Sequence, residues 1–361
     1  MAAETRRLWI VGTSVSIERG GYVSRLEQGA SEWQVRNLSV GDQTSMMGLM
    51  RLLMHRDDIA PGDVVVWEYS LLDHLLTEQA FDRGDVRRAR RQAWNLVREL
   101  GAGLIVLFVA PREELGARTP IEREAAEDAA QMGAAVLDVR ALFTELRIPD
   151  PHQHYRDDRH VRADSPLVPL LASRVREVAN RVDAPARALE HVELDAPWRF
   201  VDAKELAQGV GWTTTRFGNS LMAFDALRLQ VDERAFFPAT RRVVALGIVA
   251  RHASGGAWCG HESCPPASTR LPQELPYDFL LRVTGVPCIR AHVDRIASAP
   301  GWAYRRGFWC DYGQALSDAP GEIALFGALL ETAPFGMPAD IRRERSLAVR
   351  LERRLLRWWR G

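Results

Sequence analysis

Lysine is nearly absent from this sequence: Lys204 is the one lysine among 47 cationic residues, and every other one is arginine. A GC-rich coding bias accounts for that more simply than a set of phosphate contacts, so it carries no functional weight. Excess charge of either sign is also missing, since 47 Lys and Arg balance 47 Asp and Glu. No global field steers such a chain onto nucleic acid or a membrane, so any such binding must be local, and no nucleic-acid partner is expected. Cysteine is scarce, and Cys259, Cys264, Cys288 and Cys310 all fall in the second half. They are too few and too uneven for a disulfide framework, so reduced thiols are expected. No apolar run approaches the ~20 residues of a membrane span. The stretch Leu8-Trp9-Ile10-Val11 is too brief for the apolar part of a signal peptide, and a cytoplasmic location is expected.

What is present is the composition of a folded protein, with 47% hydrophobic and 26% charged residues over 361 positions. That length calls for two folded units. Residues 1–182 alternate short apolar runs with amphipathic segments, the pattern of βα units around a parallel sheet. The expected strands are Leu8–Val11, Val35–Leu38, Val64–Trp67, Leu104–Val109 and Ala135–Val139, with helices at Thr44–His55, Val86–Leu100, Ile121–Met132 and Pro166–Val182. Five parallel strands with helices on both faces form a three-layer α/β/α, flavodoxin-like domain whose active groups lie at the carboxyl ends of strands.

Residues 183–197, with Pro185 and Pro197, read as a linker. Beyond it, Ser220–Val231, Arg242–Val249, Tyr277–Val283 and Glu322–Leu330 are apolar segments between Gly/Pro-rich turns, which predicts a β-rich domain over 198–339, an antiparallel β-sandwich. Residues 340–361 carry eight Arg against three acids, with Ile341, Ala348, Leu351, Leu355 and Trp358 at helical spacing. This predicts a basic amphipathic helix, for docking on the protein itself or for a peripheral membrane or protein contact.

The first strand runs into Gly12-Thr13-Ser14. A serine there is exposed on the catalytic edge, with its backbone N–H near a developing oxyanion. Serine also caps many helices, so the residue gains meaning from Asp157-Asp158-Arg159-His160, which lies after the last strand of the same domain. An Asp three residues before a His lets the carboxylate hold one imidazole nitrogen while the other takes a serine proton. Asp158 is the competing carboxylate. Gly41 follows the second strand, where a glycine lets an N–H approach a substrate oxygen, and Asp73 follows the third.

In these blocks the chain resembles the SGNH hydrolases, also called GDSL esterases and lipases, over about residues 1–182. The family's Gly-Asp-Ser block is Gly12-Thr13-Ser14 here, its second-block glycine is Gly41, and its Asp-x-x-His block is Asp157-Asp158-Arg159-His160. The resemblance implies Ser14 as nucleophile, His160 as general base, Asp157 as its orienter, and the Ser14 and Gly41 amides as oxyanion donors. The third block departs: Gly-x-Asn-Asp reads Ser70-Leu71-Leu72-Asp73, so the family's donor Asn is Leu72. Losing such a donor typically costs ~10²–10³ in turnover, and Ser70 is the candidate substitute. Thr13, Asp73 and His154 are the expected substrate contacts.

The implied chemistry is acyl transfer through an acyl-enzyme, to water or to a sugar hydroxyl, with no metal or cofactor. His152 and His154 beside Asp157, Asp158 and His160 imitate a metal cluster, but are expected to form a polar loop lining the cleft. Cys259-Gly260-His261-Glu262-Ser263-Cys264 likewise suggests zinc at irregular spacing, and unrelated buried thiols are expected instead. Seven of eleven Trp follow residue 197, suited either to stacking on sugar rings or to core packing. The expected activity is therefore an O-acyl esterase or O-acyltransferase on an acylated, O-acetylated carbohydrate, of the kind used in bacterial surface polysaccharide biosynthesis. The alternative is a non-catalytic glycan-binding or scaffold protein on a lapsed SGNH fold, motivated by Leu72.

Overall fold

The computed structural model describes residues 6–29, 32–41, 43–76, 83–189 and 197–207, and beyond them the strand segments 214–218, 223–229, 234–236, 243–250, 256–260, 267–269, 280–285, 293–297 and 323–331. The expected tail helix at 340–361, three of the four cysteines (Cys264, Cys288 and Cys310) and Trp212, Trp302, Trp309, Trp358 and Trp359 lie outside the described residues. The chain divides into two compact units, residues 1–194 with 218–223, and residues 195–217 with 224–361.

The first unit is built on five strands, β1 (Arg6–Gly12), β2 (Trp33–Asn37), β3 (Val64–Glu68), β4 (Gly103–Phe108) and β5 (Ala135–Asp138), in the order β2-β1-β3-β4-β5 with every pairing parallel. Burial explains their sequences. The inner strands β3 and β4 are buried at every position and read as apolar runs, interrupted only by Glu68 at the end of β3, whereas the edge strand β2 alternates buried and solvated residues.

The helices are α1 (Ser14–Ile17), α2 (Tyr22–Gln28), α3 (Ser45–Met54), α4 (Ser70–Leu76), α5 (Arg83–Glu99), α6 (Pro120–Met132), α7 (Val139–Glu145) and α8 (Leu167–Ala179). α3 packs on α5, and α2 packs on α8. α6 is delimited by sequence chemistry: Thr119 and Glu122 form a reciprocal capping box, Pro120 opens the first turn, and Gly133 closes it with φ +78. The three-layer α/β/α arrangement expected from the alternating apolar and amphipathic segments is the one observed. α1, α4 and α7 run four to seven residues from the strand ends, too short to print a helical period in the sequence.

Strand order also locates the crevice. The chain leaves β1 for β2 on one side and returns to β3 on the other, so the connections after β1 and β3 part company at their carboxyl ends, where Gly12 pairs with Glu68. Within the expected linker, Leu189 is buried and exchanges hydrogen bonds with Asn95, its N–H donating to Oδ1 at 2.9 Å and its carbonyl accepting from Nδ2 at 3.2 Å. The chain thus stays on the first unit as far as residue 189.

The second unit holds β6 (Trp198–Asp202), α9 (Ala203–Ala207), β7 (Thr214–Gly218), β8 (Ala223–Leu229), β9 (Arg234–Phe236), β10 (Val243–Ala250), β11 (Gly256–Gly260), β12 (Ala267–Thr269), β13 (Leu280–Gly285), β14 (Val293–Ala297) and β15 (Ile323–Glu331). One sheet runs β13-β10-β15-β8-β7 with β6 also on β15, and a second runs β12-β11-β14-β9. β10 pairs antiparallel with β13 and β15, and β11 with β12 and β14. Trp198 is buried, so this tryptophan packs the core and offers no face to a sugar.

Candidate active site

Ser14 stands two residues past the carboxyl end of β1 and opens α1. Its Oγ lies 2.8 Å from His160 Nε2. The histidine comes from a small hairpin that the sequence does not announce. Tyr155 and Val161 form an antiparallel bridge, Arg156 N–H donates to the His160 carbonyl at 2.8 Å, and Arg162 N–H donates to the His154 carbonyl at 2.8 Å. Two bonds tether this hairpin to the chain just after β4: Tyr155 OH donates to the Ala110 carbonyl at 2.8 Å, and Arg112 N–H donates to the Asp158 carbonyl at 2.9 Å.

Asp157 sits at the hairpin tip. Its Oδ1 accepts the backbone N–H of Arg159 and of His160, each at 2.9 Å, and its two oxygens lie 2.8 and 2.9 Å from His160 Nδ1. Burial works to raise the Asp157 pKa, but the two backbone donors and the imidazole outweigh it and hold the carboxyl well below the usual carboxylate range. It is therefore ionised at neutral pH. Asp158 contributes its carbonyl to the tether, and Asp157, not Asp158, faces the imidazole. Arg156, which belongs to no motif, pairs with both Asp157 and Glu18, which joins the hairpin to the segment following α1.

Gly41 lies against the serine: a Cβ at residue 41 would fall 3.6 Å from Ser14 Cβ and 3.5 Å from Ile17 Cδ1. The loop carrying it is fixed by Val40 N–H on the Gly12 carbonyl at 3.0 Å and by Asn37 Nδ2 on the Ser16 carbonyl at 2.9 Å. Among the described residues neither the Ser14 N–H nor the Gly41 N–H is spent on a hydrogen bond. Two uncommitted backbone donors beside a hydroxyl are what an oxyanion requires.

Two expected substrate contacts are corrected by their burial. Thr13 is fully buried and hydrogen-bonds to Glu68, its N–H donating to Oε2 at 2.9 Å. Asp73 is fully buried and caps α3, accepting Ser45 N–H at 2.7 Å and Ser45 Oγ–H at 2.5 Å. Both side chains are thus spent on internal hydrogen bonds. His154 is partly exposed at the hairpin base, with Nδ1 3.1 Å from Ser165 Oγ. Leu72 is fully buried, and Ser70 Oγ is enclosed with no hydrogen-bond partner among the described residues. Glu68 carries no motif; its only sequence signal is a lone acid ending an apolar strand. Among the described residues no three His, Cys, Asp or Glu side chains are grouped to hold a metal ion, and no helix is long and apolar enough to cross a membrane.

No protein-family model and no curated protein matches the chain in sequence. Among solved structures it is similar to a two-domain esterase (CEX) active on acetylated mannans, co-crystallised with mannopentaose, at 9% identity and TM-score 0.60 over 91% of this chain and 92% of that one. A second crystal structure of that esterase gives 10% identity and TM-score 0.54 with the same coverage. Over 49% of this chain and 99% of the other, it is similar to a member of the lipolytic G-D-S-L family from Veillonella parvula, at 17% identity and TM-score 0.39. At these identities the likeness to the mannan esterase is one of fold: a parallel α/β/α unit followed by an antiparallel β unit, matched along nine tenths of both chains.

Proposed function

We propose that this protein is a serine-dependent ester hydrolase acting on an acylated carbohydrate. The observation that carries the reading is the unbroken chain of contacts from the Asp157 carboxylate through His160 to Ser14 Oγ, 2.8 Å at each imidazole nitrogen. That arrangement serves proton transfer in acyl chemistry. Ser14 Oγ attacks the ester carbonyl carbon while His160 Nε2 takes its proton, and Asp157 holds Nδ1–H and offsets the imidazolium charge. The oxyanion meets the free N–H groups of Ser14 and Gly41. As the intermediate collapses, the sugar oxygen leaves with the proton from Nε2, and an acyl-serine remains. Water, deprotonated in turn by His160, attacks the acyl carbon and frees Ser14 and the acid. A sugar hydroxyl in place of that water makes the same residues an O-acyltransferase.

The carbohydrate class is supported by the fold shared across both units with an esterase of acetylated mannans. Leu72 and the enclosed Ser70 leave two oxyanion donors, so turnover ~10²–10³ below that of a three-donor site is expected. The deciding experiment compares release of p-nitrophenol from p-nitrophenyl acetate, and of acetate from acetylated manno-oligosaccharides, by wild type and Ser14→Ala. Loss of both in the variant supports the reading. Equal background rates, together with binding of the deacetylated glycan, overturn it in favour of a non-catalytic glycan-binding protein.

A further inference from the structure

Beneath the nucleophile turn lies a carboxylate that the acyl-transfer steps do not use. Glu68 ends β3 fully buried. Its Oε2 accepts Thr13 N–H at 2.9 Å, Thr13 Oγ1–H at 3.0 Å and Ser16 Oγ–H at 3.0 Å. Its Oε1 lies 3.2 Å from the same Thr13 hydroxyl. Ser16 Oγ is in turn 2.7 Å from Tyr22 OH, which extends the network to α2. The donors come from residues on both sides of Ser14. Gly12 makes the approach possible, because a Cβ there would stand 2.8 Å from Glu68 Oε2 and 2.6 Å from Ser16 Oγ.

We propose that Glu68 is the positioning residue of the nucleophile turn, gathering Thr13 and Ser16 onto one buried oxygen so that Ser14 Oγ is held toward His160, and that Thr13 is matched to it as a hydroxyl donor. The inference rests on the reading of Ser14 as nucleophile. It explains why the turn has Thr13 where the Gly-Asp-Ser pattern has Asp: an aspartate there brings a second carboxylate against the fully buried Glu68. Burial, with a smaller push from the charge of Asp73, raises the Glu68 pKa to about 7 against the downward pull of the Thr13 and Ser16 donors. A carboxyl in either protonation state still accepts these hydrogen bonds, so what the site needs is an acceptor of this shape.

The test uses the full chain in four variants, read by the rate at which a fluorophosphonate labels Ser14, by kcat and KM on p-nitrophenyl acetate, and by the ¹⁵N resonances of the His160 ring at fixed pH. Glu68→Gln keeps an oxygen in place of Oε2 and is expected to label within about threefold of wild type. Glu68→Leu and Thr13→Asp are expected to label about 10²-fold more slowly, the scale of a misplaced reacting group, with kcat falling and KM little changed. In both, the His160 resonances move to those of Ser14→Ala. A folded Glu68→Leu protein with wild-type labelling and wild-type His160 resonances overturns the proposal. If Glu68→Leu does not fold, Thr13→Val decides, since it removes only the hydroxyl: an unchanged kcat and unchanged His160 resonances overturn the proposal, and a drop of about tenfold supports it. Should wild type neither label nor hydrolyse ester, the esterase reading fails, and the His160 resonances still report whether Glu68 holds the Ser14 contact.

Discussion

Asp157 accepts the backbone N–H of His160 at 2.9 Å while its carboxylate lies 2.8 Å from the Nδ1 of the same residue. The carboxylate is thereby oriented by its own loop before it meets the ring, and the ring is oriented by a carboxylate that cannot turn away. Arg159 N–H, donating to the same oxygen, completes the clamp. A partly exposed acid, 46% accessible, is thus held in one position without being walled in.

Asp157→Asn is expected to lower kcat on an activated ester by about 10²–10³-fold, short of the ~10⁴ known for a buried carboxylate in this role. Asp158→Asn leaves its tethering carbonyl intact and is expected to stay within about twofold of wild type. Steady-state kinetics of the two variants side by side settles the assignment, and a larger loss at Asp158 would reverse it.

Leu72→Asn introduces the amide of the SGNH third-block pattern, yet the site it enters is sealed. The Leu72 side chain is fully buried in α4. An amide there loses water without gaining partners, at a cost of about 1–3 kcal/mol. The expected outcome is a lower melting temperature with no gain in kcat. A faster enzyme would show that the position opens onto the cleft.

Gly41→Ala separates fold from chemistry. The added methyl finds ordinary van der Waals distances, and the Gly41 backbone is not in the left-handed region, so the melting temperature is expected to hold. The same methyl stands against Ser14 beside the free N–H. A fall of about 10–10³-fold in kcat/KM is expected, up to the loss of one oxyanion donor. Wild-type kinetics would remove Gly41 from the oxyanion site.

Ser14 and Gly41 are legible because each sits in a short block just past a strand that the apolar runs mark, and Asp157 and His160 because Asp-x-x-His forms a block of its own ahead of the last helix. The blocks give position along the chain, not which way a side chain points. The blocks therefore suggest Thr13 and Asp73 as substrate contacts, although the register of β1 on β3 and the start of α3 turn both inward. Glu68 was invisible for a related reason: its partners at Thr13 and Ser16 are more than fifty residues away, and parallel pairing brings them together. The Tyr155–Val161 hairpin is seven residues long and has no period to detect.

Two buried carboxyls favour the folded protein as pH falls. Burial raises Glu68 from 4.5 to about 7 and Asp73 from 3.8 to about 6, against hydrogen bonds that pull both down. Between each pair of values the folded protein holds a proton that the unfolded chain has released, so stability falls as pH rises through that window. Asp157 acts oppositely, because its depressed pKa makes it lose stability only as pH drops below the ordinary Asp range. His55 works against the two buried carboxyls over part of this interval, because burial lowers its pKa and the unfolded chain takes up that proton more readily. With two carboxyls against one imidazole, the melting temperature of the full chain is expected to climb as pH is lowered from 7 to 5, by roughly 2–4 °C for each kcal/mol gained. Glu68→Gln keeps the acceptor and removes the titration, so its slope is expected to be visibly shallower over the same interval. Parallel slopes for the two proteins in calorimetric scans would mean that Glu68 ionises in the folded state as readily as in the unfolded chain.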